Sequence, residues 1–146
     1  MKKLGIESKH CKLRGEVAEL RFMARAVDYG LRVIKPWGDC CRYDFVVEQG
    51  GRFLRIQVKA TSSKIDNAYA CHLSRGPQKR YTKDDIDFIA AYIIPLDIWY
   101  IVPVEETGMS TLVLSPDLEN SKHARFKEAW HLLRGVSARH DARQLL

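Results

Sequence analysis

Asp44, Gln57 and Lys59 are the residues of this chain whose types and spacing could do chemistry together. Tyr43-Asp44-Phe45-Val46-Val47 opens a short strand running to Glu48, Gln49-Gly50-Gly51-Arg52 reads as a hairpin connection, and Phe53 to Ala60 is the next strand. Side chains alternate faces along a strand, so Gln57 and Lys59 share one face while Ile56, Val58 and Ala60 share the other. Asp44, at the start of the preceding strand, comes close to them across the hairpin. An acid, a carbonyl oxygen donor and an ammonium group therefore meet at one end of a sheet. Phosphodiester hydrolysis calls for such a set, because a hard cation must offset charge on the phosphoryl oxygens and activate a water. Magnesium takes few oxygen ligands from protein and the rest from water and phosphate. Asp44 would supply the anionic ligand, with Gln57 and the backbone carbonyl of Val58 as neutral oxygens. Lys59 would orient the attacking water and stabilise developing negative charge.

Several of these residues have plainer readings. Asp44 could cap a turn, and Gln57 could serve as a strand-edge hydrogen bonder. Lys59 lies between Val58 and Ala60 and is out of place as a solvated strand residue, so chemistry is the better account of it. Thr61 and Ser62 suit a phosphate contact and the start of a loop equally well. Asp84, Asp85 and Asp87 could suggest a second metal, but a helical turn begun by Thr82, with acids in its first turn, is the better expectation. The five histidines are scattered without ligand spacing, and Trp37, Trp99 and Trp130 are expected in the core or an interface.

The elements that must hold this cluster are legible from periodicity. A helix is expected from about Lys12 to Tyr29, with Val17, Leu20, Phe22, Met23, Ala24, Ala26 and Val27 forming a wide apolar arc, and Gly30 in the left-handed cap position. Glu16 and Glu19 fall inside that arc, where an acid is costly to bury without a partner or a metal. Leu31 to Trp37 is β-rich until Pro36. Tyr69 to Leu73, Phe88 to Ile94, Ile98 to Val102 and Thr111 to Leu114 are further strands. A closing helix is expected from about Ser121 to Leu133, ending at Gly135. The order helix, antiparallel meander, further strands, helix gives an α/β layer architecture in one domain, 1–146, with its core at about 12–116 and the closing helix at about 121–134.

Composition removes whole classes of function. A chain of 146 residues with 46% hydrophobic residues can bury a core without disulfides. No apolar run approaches the roughly 18 residues of a membrane span, and no apolar stretch follows Lys2 and Lys3 as in a signal peptide, so a cytoplasmic protein is expected. The four cysteines, Cys11, Cys40, Cys41 and Cys71, form no Cys-x-x-Cys pair. Reduced thiols are expected rather than zinc. The net charge of +6 favours an anionic partner. Basic residues cluster near the N-terminus, at Arg75, Lys79, Arg80 and Lys83, and from Lys122 to Arg139. Tyr81 stands beside the middle cluster, and a basic loop with an aromatic suits a phosphate backbone.

The pattern D-x12-Q-x-K behind a helix resembles the PD-(D/E)XK nuclease superfamily, with Gln57 in place of the usual middle acid. Cys41 and Arg42 stand where a proline often precedes the aspartate. The chain resembles the group I intron-associated, homing-type endonucleases that carry a Q-x-K motif. The likeness runs through Gly38-Asp39, Tyr43-Asp44, Gln57 to Ser62, Tyr81 to Phe88 and Pro95 to Pro103, and covers roughly residues 13 to 116. Archaeal Holliday junction resolvases are more distantly similar.

The resemblance implies a restriction-endonuclease-like core, a mixed sheet flanked by helices. It also implies a further glutamate from the first helix, four residues after a helix-start glycine and about eleven before the helix-end glycine. Gly15 and Gly30 select Glu19 as that metal ligand or supporting acid, with Glu16 as the fallback. Loss of the middle acid removes one negative charge and favours a single tightly held metal. The expected activity is Mg2+-dependent cleavage of double-stranded DNA, with Mn2+ substituting and no nucleotide cofactor. Ser74, Arg75, Lys79, Arg80 and Tyr81, with Thr61 and Ser62, are the expected DNA contacts. Cutting both strands at a site calls for two active centres, hence a dimer or tetramer. The alternatives are a junction-selective nuclease and a DNA-binding protein that kept the fold and lost the chemistry.

Overall fold

The computed structural model describes residues 11–73, 80–108 and 110–134. Helix α1 runs Cys11–Asp28 and buries Ala18, Phe22 and Ala26, a stripe at four-residue spacing. The stripe is narrower than the expected arc, since Leu20 and Val27 remain 60% and 61% exposed and Glu16 is exposed too. The helix stops where Gly30 takes φ +75°, with Gly30 N–H donating to Val27 O and Leu31 N–H to Ala26 O. These are the paired bonds of a Schellman cap, and only glycine meets that φ without strain.

Eight strands follow: β1 Arg32–Ile34, β2 Phe45–Gln49, β3 Arg52–Thr61, β4 Lys64–Ile65, β5 Ala68–His72, β6 Phe88–Ile93, β7 Ile98–Pro103 and β8 Thr111–Leu114. The expected meander is present as the antiparallel run β1-β2-β3. Its second hairpin turns through Gly50 and Gly51, both at positive φ, between paired Gln49 and Arg52. The main sheet has the order β1-β2-β3-β6-β7, with β3 and β6 parallel at its centre and its other pairs antiparallel. The crossover from β3 to β6 carries β4 and β5, which join β8 in a second, antiparallel sheet.

The main sheet is covered on both faces. Towards α1, Phe22, Phe45, Val47, Ile56, Trp99, Ile101 and Trp130 pack together. Towards the second sheet, Ile89, Ala91, Ile93, Tyr100 and Val102 pack against Cys71, Ile86, Leu112 and Leu114. Strand β6, Phe-Ile-Ala-Ala-Tyr-Ile, feeds both cores, which explains its unbroken apolar run. Trp99 and Trp130 are core residues as expected, whereas Trp37 is fully exposed. Among the described residues no helix is long and apolar enough to cross a membrane.

The expected closing helix is not formed, so the flanking layer holds one α-helix among the described residues. Two short 3-10 turns, Ala124–Phe126 and Trp130–Leu133, stand in its place. Between them Lys127 pairs with Tyr100 of β7, and Glu128 adopts φ +51°. Glu128 N–H donates to Trp99 O, while its carboxylate accepts Trp99 N–H at 2.9 Å and Trp130 Nε1–H at 2.8 Å. The segment spends its backbone on the edge of β7 instead of on an i→i−4 ladder.

Candidate active site

Asp44 sits one residue before β2 and extends its pairing, since Asp44 N–H donates to Ile56 O at 2.8 Å. Its Oδ2 accepts Val58 N–H at 2.8 Å and the Gln57 Nε2 amide at 2.8 Å. The aspartate is therefore tied across the hairpin to the strand that carries Gln57 and Lys59. Burial is the largest influence on its carboxyl and pushes it above the ordinary carboxylate range. The Val58 N–H opposes that shift, Glu19 adds to it, and Lys59 and Lys35 pull against it. Asp44, Glu19, Lys59 and Lys35 thus share one electrostatic neighbourhood.

Gln57 Nε2 also lies 3.4 Å from Val58 O, so one amide group touches both the aspartate and the carbonyl. An amide has its nitrogen and oxygen on opposite sides of a soft, two-fold torsion. Half a turn replaces the donor facing Asp44 with Oε1. Asp44, Val58 O and Gln57 Oε1 are then hard oxygen donors of the kind Mg2+ accepts.

Glu19 leaves α1 beside buried Ala18 and reaches Lys35 Nζ with its Oε2 at 3.0 Å. It, and not exposed Glu16, is the helix acid whose charge acts on Asp44. Lys35 was not singled out from the sequence. It follows β1, where its ammonium also lies 4.7 Å from the Phe45 ring centroid. The available signal was alternation, which puts Lys35 on the side of Val33, but a three-residue strand makes that signal short.

Lys59 is half-buried, with its ammonium 5.5 Å from the centroid of the Tyr81 ring. Tyr81 is only 5% exposed, so what it presents is a ring beneath Lys59 rather than the expected loop surface. Cys71 is buried nearby. Desolvation pushes its thiol up to about 12, against a smaller opposing pull from Lys59, so it is protonated and inert at neutral pH.

Thr61 is buried and structural in its contacts. Its hydroxyl donates to Ala70 O at 2.6 Å and accepts Ser63 N–H at 3.0 Å. Ser62 Oγ accepts from Arg14 Nη1 at 3.4 Å. Arg80 is exposed. Ser74, Arg75 and Lys79 lie outside the described residues.

The acidic triplet is used locally. Asp85 accepts Thr82 N–H at 3.1 Å and pairs with Arg42. Asp87 accepts Arg55 Nε–H at 3.2 Å, and the same guanidinium donates to the carbonyls of Lys83 and Asp84. Among the described residues no group of three His, Cys, Asp or Glu is spaced to hold a metal. A cation in this chain would have to rely on an amide and a main-chain oxygen beside its acids.

A family model for PD-(D/E)XK endonucleases matches residues 9–133. The solved structure of a bacterial homing endonuclease, I-Ssp6803I, is similar to the chain with a TM-score of 0.74 and 29% identity, over 92% of this chain and 97% of that one. No curated protein matches.

Proposed function

The chain belongs to the PD-(D/E)XK endonuclease family, and on that premise we propose that it is a Mg2+-dependent homing-type endonuclease cleaving double-stranded DNA. The observation that carries the proposal is the tie at Asp44: one oxygen of a half-buried carboxylate holds both the Gln57 amide and the Val58 N–H. A half-buried carboxylate beside an amide and a main-chain oxygen is the kind of donor set that a hard cation takes. The likeness to a bacterial homing endonuclease supports the substrate class.

In this reading Asp44, the Gln57 amide oxygen, the Val58 carbonyl and Glu19 hold the metal, and Glu16 faces solvent. Bound Mg2+, or Mn2+ in its place, supplies charge neutralisation at the phosphate and activation of water. Lys59, two residues from Gln57 on the same face of β3, would offer a donor to the developing phosphoryl charge. The Tyr81 ring supports that ammonium from below. Two such centres on a homo-oligomer would cut both strands, matching the two-fold symmetry of duplex DNA.

The test is cleavage of supercoiled plasmid and of a synthetic four-way junction with Mg2+, Mn2+ or EDTA. Metal-dependent cutting of the plasmid is expected. Preference for the junction would favour a resolvase-like activity. Binding of DNA without any cutting, by folded protein and with either metal, would assign the chain to inactive DNA-binding proteins of this fold.

Lys35 gives a smaller prediction. It neutralises Glu19 from an exposed position and adds positive charge beside the metal ligands. Replacing it with methionine is expected to tighten Mn2+ binding by roughly two- to fivefold, as expected for removing one solvent-screened charge. The stability cost should stay within about 1 kcal/mol, typical of an exposed pair. Calorimetric titration of both proteins with Mn2+ checks it, and weaker binding would make Lys35 a positioner of Glu19 rather than a competitor for its charge.

A further inference from the structure

We propose that Arg14, Ser62, Ser63 and His72 form a subsite for a DNA backbone phosphate other than the one cleaved. The proposal rests on the DNA reading above and deepens it. These residues line a cavity of about 230 Å³ where β3 leaves the main sheet, floored by Ala60, Thr61 and Ala70.

Thr61 builds the rim. With its hydroxyl fixed between Ala70 O and Ser63 N–H, it sets the turn that puts Ser62 and Ser63 at the opening. Arg14 supplies the charge. Farther along the same helix, Arg21 donates to Tyr92 and Arg25 pairs with Asp97 and Glu128. Arg14 by contrast meets only the neutral Ser62 hydroxyl, at 3.4 Å, among the described residues. A guanidinium carries five N–H donors in a fork that suits a phosphate, and among the described residues the Ser62 hydroxyl engages one of them. His72 closes the far side, its ring oriented by Thr111 Oγ1 at 3.2 Å from Nδ1. When Nδ1 accepts that hydroxyl, Nε2 presents an N–H.

The cavity's position suits a strand already held at the candidate centre. Ser62 lies three residues beyond Lys59, roughly 10 Å at about 3.3 Å per residue. A backbone held at Lys59 therefore reaches the cavity within a few nucleotides. Such a contact fixes the register of the duplex and carries no sequence information.

The experiment measures duplex binding in EDTA across a salt series, so that no cleavage is needed. Arg14→Gln is expected to weaken binding about tenfold near 0.1 M salt and to reduce the slope of log K against log[salt] by about 1. Arg14→Lys should keep the slope, because the charge remains. His72→Ala should weaken binding severalfold. Arg125→Gln, which removes a cation paired with Glu106 at the other end of the sheet, should change neither quantity. Melting curves establish that each variant is folded. A wild-type slope in folded Arg14→Gln overturns the subsite, as does a wild type that binds no duplex. A wild type that binds but never cleaves sinks the nuclease reading alone, and the slopes still decide the subsite.

Discussion

Asp44→Asn is expected to reduce metal-dependent cleavage by about 10³-fold or more while raising the melting temperature of the metal-free protein by roughly a few degrees. Both effects follow from one carboxylate. Asparagine can place its Oδ1 where Asp44 Oδ2 accepts the Val58 N–H and the Gln57 amide, so the local frame survives. What disappears is the negative charge. Burial pushes the Asp44 carboxyl above its ordinary range, which means that the native state binds its proton more tightly than the unfolded chain does. Stability from such a group is complete below the unfolded pKa and falls as pH rises through the higher folded value. At neutral pH the ionised side chain therefore burdens the fold, and the uncharged amide relieves it. The gain should be visible at pH 7 and vanish at acid pH, where Asp44 is protonated in both states. Thermal melts in EDTA at the two pH values, beside a plasmid cleavage assay, test the pair of effects. A variant less stable than wild type at neutral pH would mean that Asp44 holds the hairpin together rather than waiting for a cation.

The grouping of Asp44, Gln57 and Lys59 was legible because its determinants are local. Two glycines that both accept positive φ fix a two-residue hairpin, and period-two alternation then fixes which side chains share a face. The Gly30 cap and the core positions of Phe22, Trp99 and Trp130 were legible for similar reasons. Other features depend on contacts distant in sequence. Glu128 takes a left-handed conformation because Trp99 and Trp130 claim its carboxylate, and no periodicity in Ser121 to Leu133 announces that bond. Lys35 meets Glu19 only because β1 pairs with β2 beneath the helix. The run Phe88 to Ile93 shows that β6 is buried on both faces, but not that its parallel partner is β3. Tyr81 beside basic residues looked like a loop aromatic. Its burial under Lys59 arises from packing against a second sheet that the sequence outlined only strand by strand.

The buried tyrosine leads to the other large effect. Lys59→Met is expected to lower cleavage by about 10³-fold, with DNA affinity within a few-fold of wild type, because a group acting on developing charge contributes mainly in the transition state. Tyr81 acts through that ammonium. A cation over an aromatic face is held by roughly 0.5–2 kcal/mol, and about 1.4 kcal/mol is tenfold in rate. Tyr81→Leu should therefore slow cleavage by about tenfold at saturating DNA, beyond any loss of folded protein, while Tyr81→Phe keeps the ring and most of the rate. Leucine also removes ring volume from the core, so the melting curves separate the lost packing from the lost π face. The measurement is single-turnover cleavage at saturating DNA by the three variants, with melting curves to correct for the folded fraction. If phenylalanine fails as badly as leucine, the ring is not what holds Lys59, and its ammonium must be placed by the strand alone.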